Sequence, residues 1–277
     1  MSYTKFLKIK IKVEYLLLII FAVCFVLPLV WVFAASVDPN ALQTIKMPDE
    51  ITLDNYKSII SDPVNVRSFV IGLAMSLSQA FFVVIIGGIA AYPLSRYRLN
   101  FKQKFMFSVL FLNSLPITAL MVPVYTLFVS INFYDKNYGV VIFKIATSLP
   151  YAIWMLKNFM DSVPVTLEEA AWIDGASTME GIRRIVTPLM LPGIATVAIF
   201  TFSGSWGDFF VPYILLNTPE KFPASLKLYQ FFGQYGMVQY GELAAFSVLY
   251  SMPSVVLYMV SQKYMSQGFT MSGAAKG

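Results

Sequence analysis

Leu167-Glu-Glu-Ala-Ala-Trp-Ile-Asp-Gly-Ala-Ser177, running on to Ile185-Val-Thr-Pro188, is a charged, glycine-hinged stretch set between long apolar runs. Crossing roughly 30 Å of hydrocarbon takes about 20 apolar residues in helical form. Six such runs are present, at approximately 15–37, 68–94, 105–130, 139–157, 189–212 and 243–261. They are too long and too uniformly apolar for barrel strands, which alternate over about ten residues. The chain therefore reads as an all-α integral membrane protein of six transmembrane helices, one domain over 1–277. The quoted stretch is a compact polar element between spans four and five.

Composition agrees. Hydrophobic residues make up 57% and charged residues 13%, with a mean hydropathy of +0.67; a soluble domain carries about 25% charged residues. There is no histidine and one cysteine, Cys24. An internal disulfide and a His/Cys metal cluster are excluded, and Cys24 reads as a small packing residue. The net charge of +5 is not a nucleic-acid signal, because the basic residues flank the spans and no basic face is interleaved with stacking aromatics. Lys5, Lys8, Lys10 and Lys12 ahead of an apolar run resemble a signal peptide, with Ala34-Ala35-Ser36 as a cleavage site. That run exceeds the about 7–15 residues of a signal core, so it is read as a retained span.

Charge bias orients the spans. The N-terminus, the second and fourth loops and the tail hold thirteen Lys and Arg (Lys5, Lys8, Lys10, Lys12, Arg96, Arg98, Lys102, Lys104, Lys157, Arg183, Arg184, Lys263, Lys276). The opposite side holds six (Lys46, Lys57, Arg67, Lys136, Lys221, Lys227). Positive residues stay cytoplasmic, which puts both termini and the Glu169 loop inside. Pro28, Pro116, Pro123, Pro150 and Pro253 are expected to break the spans, with neighbouring helices satisfying the freed carbonyls.

Within the 164–188 loop, Thr166-Leu-Glu-Glu169 and Ser177-Thr-Met-Glu180 both carry capping-box spacing. Pro164 helps stop the incoming helix. Gly175 lies between the boxes and permits the positive-φ turn that ends one helix and redirects the chain. Two short helices joined at Gly175 are expected, the first showing Ala170, Ala171 and Trp172 with Glu168, Glu169 and Asp174 around them on an exposed turn. An amphipathic connector lying on the membrane surface fits capping and hinge equally well. Acid–base catalysis is disfavoured, since the carboxylates have no His, Lys or metal site beside them. The sequence has no Gly-x-x-x-x-Gly-Lys-Ser/Thr loop, so ATP is not bound by that route.

Glu169-Ala-Ala, three residues, Gly175, nine residues, Ile185, one residue and Thr187-Pro188 is similar to the Glu-Ala-Ala signature of ATP-binding-cassette importer permeases. The resemblance is nearest the carbohydrate-uptake group, of the maltose-permease second-subunit type. Thr187 departs from the leucine usual before that proline. Leu53-Asp-Asn-Tyr56, Ala90-Ala-Tyr-Pro-Leu-Ser-Arg96, Trp154, Trp206-Gly-Asp-Phe-Phe210 and Gly273-Ala-Ala-Lys-Gly277 extend it along nearly the whole chain.

The resemblance implies a non-catalytic permease subunit whose cytoplasmic coupling helix docks on a separate ATPase through Glu169, Ala170, Ala171, Asp174 and Gly175. It also implies a second homologous permease, two ATPase subunits that use ATP and magnesium, an extracytoplasmic sugar-binding protein and a bacterial cytoplasmic membrane location. No cofactor is expected on this chain. The 268–277 tail is a further segment able to reach the ATPase.

Gln79, Asn113, Trp206 and Asp208 are the candidate substrate-path residues. Trp206 would lie against a sugar's apolar face, and Asp208 would accept from its hydroxyls. An interfacial Trp anchor and interhelical hydrogen bonds are the plainer readings. Lys144 is expected to snorkel outward. Within the class, a polyol or glycerol phosphate is the alternative solute. Outside it, a free-standing secondary transporter or channel would need paired intramembrane charges and repeated broken helices, and the sequence displays neither.

Overall fold

The structure, a computed structural model, describes residues 3–44, 46, 48–232 and 238–274, with side chains over 14–262 of these. The side chains of Lys5, Lys8, Lys10, Lys12 and of the 268–277 tail lie outside the described residues. Every regular element among the described residues is helical: α1 (Tyr3–Ser36), α2 (Asp54–Ser61), α3 (Pro63–Arg96), α4 (Lys102–Asn113), α5 (Ile117–Ser130), α6 (Asn137–Asp161), α7 (Val165–Ile173), α8 (Thr178–Gly181), α9 (Thr187–Leu189), α10 (Leu191–Trp206), α11 (Phe210–Leu215), α12 (Ala224–Gln230) and α13 (Tyr240–Ala274).

Among the described residues, four stretches are long and apolar enough to cross a membrane: Glu14–Ser36, Pro63–Arg96, Asn137–Asp161 and Tyr240–Gln262. The count is six if each of two bent pairs is one span. The run at 105–130 is one such pair, α4 and α5 meeting at 91°. Ser114 closes α4, and extended Pro116 opens α5. The run at 189–212 bends by 70° at Met190 and then divides again at Gly207, where α10 ends. Pro192 sits in the first turn of α10, where its missing N–H costs nothing. Of the five prolines expected to break spans, only Pro116 marks an interruption. Pro28, Pro123, Pro150 and Pro253 lie inside continuous helices.

The chain divides into two compact units, residues 1–66 with 228–251, and 67–227 with 252–277. In the first, Asn55 Nδ2 donates to the carbonyls of Ser36 (3.1 Å) and Asp38 (3.0 Å). The Tyr56 hydroxyl donates to Ser36 Oγ at 2.8 Å. The Leu53–Tyr56 motif thus ties down the end of α1. Gly241 leaves the space for it, since a Cβ there would come within 2.6 Å of Asn55 Nδ2.

In the second unit, one apolar core joins α3, α6, the Ile182–Val186 turn and α10 through Val83, Tyr92, Leu156, Met160, Val186 and Val197. Another joins α3, α5, α6 and α11 through Met75, Met121, Phe128, Val140, Phe143 and Leu215. Helices in membranes approach closely through small residues. Gly193 of α10 is one, where a Cβ would fall 2.5 Å from the Phe159 ring of α6.

The α5–α6 connection is held by Asp135, which takes a positive φ of 55°. Its carboxylate accepts from the N–H groups of Asn217 (2.9 Å) and Thr218 (3.0 Å) and from the Thr218 hydroxyl, and it pairs with Lys221. Burial opposes its ionisation, but Lys221 and the Thr218 and Asn217 donors outweigh burial and hold its pKa well below the usual carboxylate value. A depressed pKa contributes stability that is complete above the unfolded-chain value of about 4 and fades as pH falls toward the folded one. Asp135→Asn is therefore expected to lower the thermal midpoint of the detergent-solubilised protein at pH 7, with the gap to wild type narrowing steadily below pH 4. A gap independent of pH would show that ionisation of Asp135 is not what holds the loop.

Candidate functional site

α7 ends in a Schellman turn. Ala176 N–H bonds the carbonyl of Ala171 (2.9 Å) and Gly175 N–H that of Trp172 (3.1 Å), with Gly175 at φ +90°; this double bond pattern needs a left-handed residue at the turn. Ser177 then caps α8 in a complete capping box, Ser177 N–H to Glu180 Oε2 at 2.9 Å and Glu180 N–H to Ser177 Oγ at 3.3 Å. The box expected at Thr166 does not form. Extended Pro164 is the N-cap and α7 starts at Val165, which puts Thr166 inside the first turn. Beyond α8 the chain makes a π-helical turn over Ile182–Val186, in which Thr187 N–H reaches the Ile182 carbonyl five residues back. The turn immediately precedes Pro188, which cannot donate, and wide turns of this kind occur where the regular ladder is disrupted.

Glu168 was expected on an exposed turn. It is instead fully buried, with a relative exposure of 0%. Arg96, at the end of α3, donates from Nε to its Oε1 at 2.6 Å, and the Tyr92 hydroxyl donates to Oε2 at 3.0 Å. The same guanidinium donates to the carbonyls of Met160 and Val163, both at 3.1 Å, adding to the Val163 N–H bond on Met160 and satisfying the Val163 carbonyl just past the end of α6. Ser95 adds a bond to Asp161 at 2.6 Å. At 34 residues, α3 is about 50 Å long, more than the hydrocarbon thickness, so its last turn can stand beside the loop. One face of that turn, Tyr92, Ser95 and Arg96, fastens α7 to α3 and α6. The signal in the sequence is the i, i+3, i+4 spacing of three polar residues at the end of an apolar run.

The remaining loop surface is open. Glu169, Ala170, Asp174 and Gly175 are exposed, and Ala171 is half-buried. Trp172 lies over Gly181, its indole nitrogen 3.4 Å from where a Cβ would be. Two large apolar side chains that sequence reasoning passed over stand out beside them, Ile173 at 86% and Met179 at 69% exposed.

The candidate substrate-path residues divide. Gln79, Asn113 and Asp208 line one cavity of about 400 Å³ in the second unit. Trp206 stands apart from it, buried and stacked on Phe202 with ring centroids 6.3 Å apart. Lys144 does not snorkel outward. It is buried on α6, 3.1 Å from Asp208 Oδ2, and donates to the Ser205 carbonyl at 2.9 Å. Asp208 occupies the break between α10 and α11, its Oδ1 accepting from Val211 N–H at 3.2 Å. An intramembrane charge pair is thus present, contrary to the sequence reading. A buried charge in a membrane helix needs such a partner.

Bent helices, apolar enough to cross a membrane, stand around the cavity lined by Gln79, Asn113 and Asp208, with a capped and hinged element fastened to the end of α3. Residues 83–271 match the model of the family described as the binding-protein-dependent transport system inner membrane component, and the chain belongs to that family. It is similar to the trehalose transport system permease protein SugB of Mycobacterium tuberculosis, 28% identical and covering 91% of this chain and 92% of that protein. The galactooligosaccharides transport system permease protein GanQ of Bacillus subtilis is 29% identical, over 97% and 96%. The fold matches a chain in the crystal structure of a bacterial ABC transporter involved in the import of the acidic polysaccharide alginate, with TM-score 0.82, 22% identity and coverage of 95% and 98%. The chain is thus an ABC importer permease, a multi-pass protein of the inner membrane. The Lys144–Asp208 pair does not make it a free-standing secondary transporter.

Proposed function

We propose that this chain is one of two permease subunits of an ATP-driven importer for neutral sugars, oligosaccharides foremost. Both termini and the 164–188 loop are cytoplasmic. Glu169, Ala170, Ala171, Asp174 and Gly175 form the surface that docks in a groove of the ATPase subunit, with Ile173 and Met179 as its apolar anchors. Ile173 and Met179 stand exposed on a turn held rigid by the Gly175 and Ser177 hydrogen bonds, and that presentation is the observation that carries the reading. ATP and magnesium belong to the ATPase pair, whose closure pushes on α7. Arg96 and Glu168 pass the displacement to α3 and α6, and the cavity at Gln79, Asn113 and Asp208 lies on the sugar's path. A binding protein on the opposite face delivers the solute. Relatives whose names specify trehalose and galactooligosaccharide transport support the substrate class.

The test is uptake. In vesicles containing this chain with its second permease and ATPase, radiolabelled trehalose or galactotriose is expected to accumulate only with ATP inside and the loaded binding protein outside. Accumulation without ATP, or without the binding protein, would contradict the reading.

A further inference from the structure

Resting on the importer reading, we infer that this chain itself carries a subsite for a neutral, polyhydroxylated ring in the Lys144–Asp208 cavity, and that the cavity excludes anionic solutes. Three observations meet there.

The first is charge. Lys144 and Asp208 are 3.1 Å apart, and a proton passed between them leaves the pair's net charge at zero. Each is also fixed by backbone, Lys144 to the Ser205 carbonyl and Asp208 to Val211 N–H, so neither is free to follow a charged ligand. The ammonium retains one of its three donors and the carboxylate about half its acceptor capacity, a donor–acceptor couple matched to vicinal hydroxyls.

The second is Gln79, which is buried. Its Nε2 donates to the Lys144 carbonyl (3.0 Å) and to Ser148 Oγ (2.7 Å), which fixes the amide orientation, while Oε1 has no partner. A buried acceptor left unmade calls for a donor. Oε1 is closed off in this conformation, so the subsite includes a small shift of the Gln79 side chain that lets a sugar hydroxyl donate to it; a carboxylate or phosphate ester brings acceptors that oppose both Gln79 Oε1 and Asp208.

The third is shape. About 400 Å³ falls in the range of small-molecule sites, roughly 300–1,000 Å³. Tyr151, stacked on Trp154 at 6.2 Å, contributes an aromatic wall to it.

The experiment uses the assembled importer with Cys24→Ser and a reporter thiol at Thr201→Cys, on the cavity wall. In the otherwise native cavity, a sulfonate and a trimethylammonium thiosulfonate reagent should label Thr201→Cys at rates within about threefold, once normalised to a free thiol; Asp208→Asn, which leaves Lys144 uncompensated, should favour the sulfonate at least tenfold. Millimolar trehalose or galactotriose should slow labelling by an uncharged reagent, and an alginate trisaccharide should not. Gln79→Leu should abolish the protection, measured as the ratio of its own labelling rates with and without sugar.

A tenfold sulfonate preference in the native cavity, protection by the anionic trisaccharide, or protection unaffected by Gln79→Leu would overturn the subsite. If the same vesicles import a sugar that gives no protection, the subsite falls and the importer reading stands. If they import none of the neutral sugars, the sugar-importer reading falls and takes the subsite with it.

Discussion

Arg96→Ala is expected to abolish sugar uptake while the protein still reaches the membrane. The substitution leaves Glu168 buried with no cation, strips the Val163 carbonyl of its donor and removes one of the bonds to the Met160 carbonyl. Arg96 and Glu168 side chains are 4% and 0% exposed, so solvent screening offers no relief. Breaking such a pair from one side costs about 3–5 kcal/mol. At about 1.4 kcal/mol per decade, that is two to almost four orders of magnitude in the balance between docked and detached α7. The spans gain their stability from lipid and helix packing, so the damage is confined to the joint. Uptake normalised to membrane abundance should fall at least a hundredfold, and ATP hydrolysis should lose its response to the loaded binding protein. Glu168→Gln should be milder, because the amide oxygen still accepts from Arg96 while its NH2 group donates to the Tyr92 hydroxyl oxygen. The double variant Arg96→Met with Glu168→Leu removes the stranded charge and should recover thermal stability without recovering uptake. Normal uptake in Arg96→Ala would show that the joint transmits nothing.

Gly175→Val is the second large effect. At φ +90° a β-branched residue carries a backbone penalty of about 1–2 kcal/mol. A Cβ at Gly175 would meet nothing within 4 Å, so the effect is conformational rather than a clash. It should tilt α7 against α8 and misalign the docking surface. Uptake per unit of membrane protein is expected to fall by about the 5–30-fold that this energy represents, with abundance unchanged. Gly175→Asn, which tolerates the left-handed region better, should lie between valine and wild type. Assays run in parallel on all three proteins check the order; equal uptake by valine and glycine would make the turn incidental.

What could be read from the sequence was local. The Gly175 turn and the Ser177 box each depend on residues within five positions, and both formed as their spacing predicts. Long apolar runs announced helices because in hydrocarbon the backbone must satisfy itself. The same uniformity hid the bends: nothing in the run through Leu115 and Pro116 distinguishes a right-angled turn from a tolerated proline such as Pro123. Thr166 was misread because Pro164 starts the helix early, leaving the threonine past the capping position. The long-range pairs were invisible. Glu168 is buried only because Arg96, 72 residues earlier, stands beside it, and Lys144 faces inward only because the α10–α11 break brings it Asp208. Trp206 was placed on the substrate path by its neighbours in sequence, whereas its ring packs on Phe202 inside the core.

The central claim is that the Glu169–Gly175 surface is where the ATPase engages. Its most direct test is a cysteine at Ile173, the most exposed apolar side chain of the loop, in a Cys24→Ser background within the assembled importer. A short bifunctional thiol reagent applied to inside-out vesicles should capture this chain on the ATPase subunit, with a yield that changes when ATP is added. The same thiol should be inert to an impermeant reagent outside intact cells. Labelling from outside, or capture of no ATPase in a complex that transports, would contradict the account.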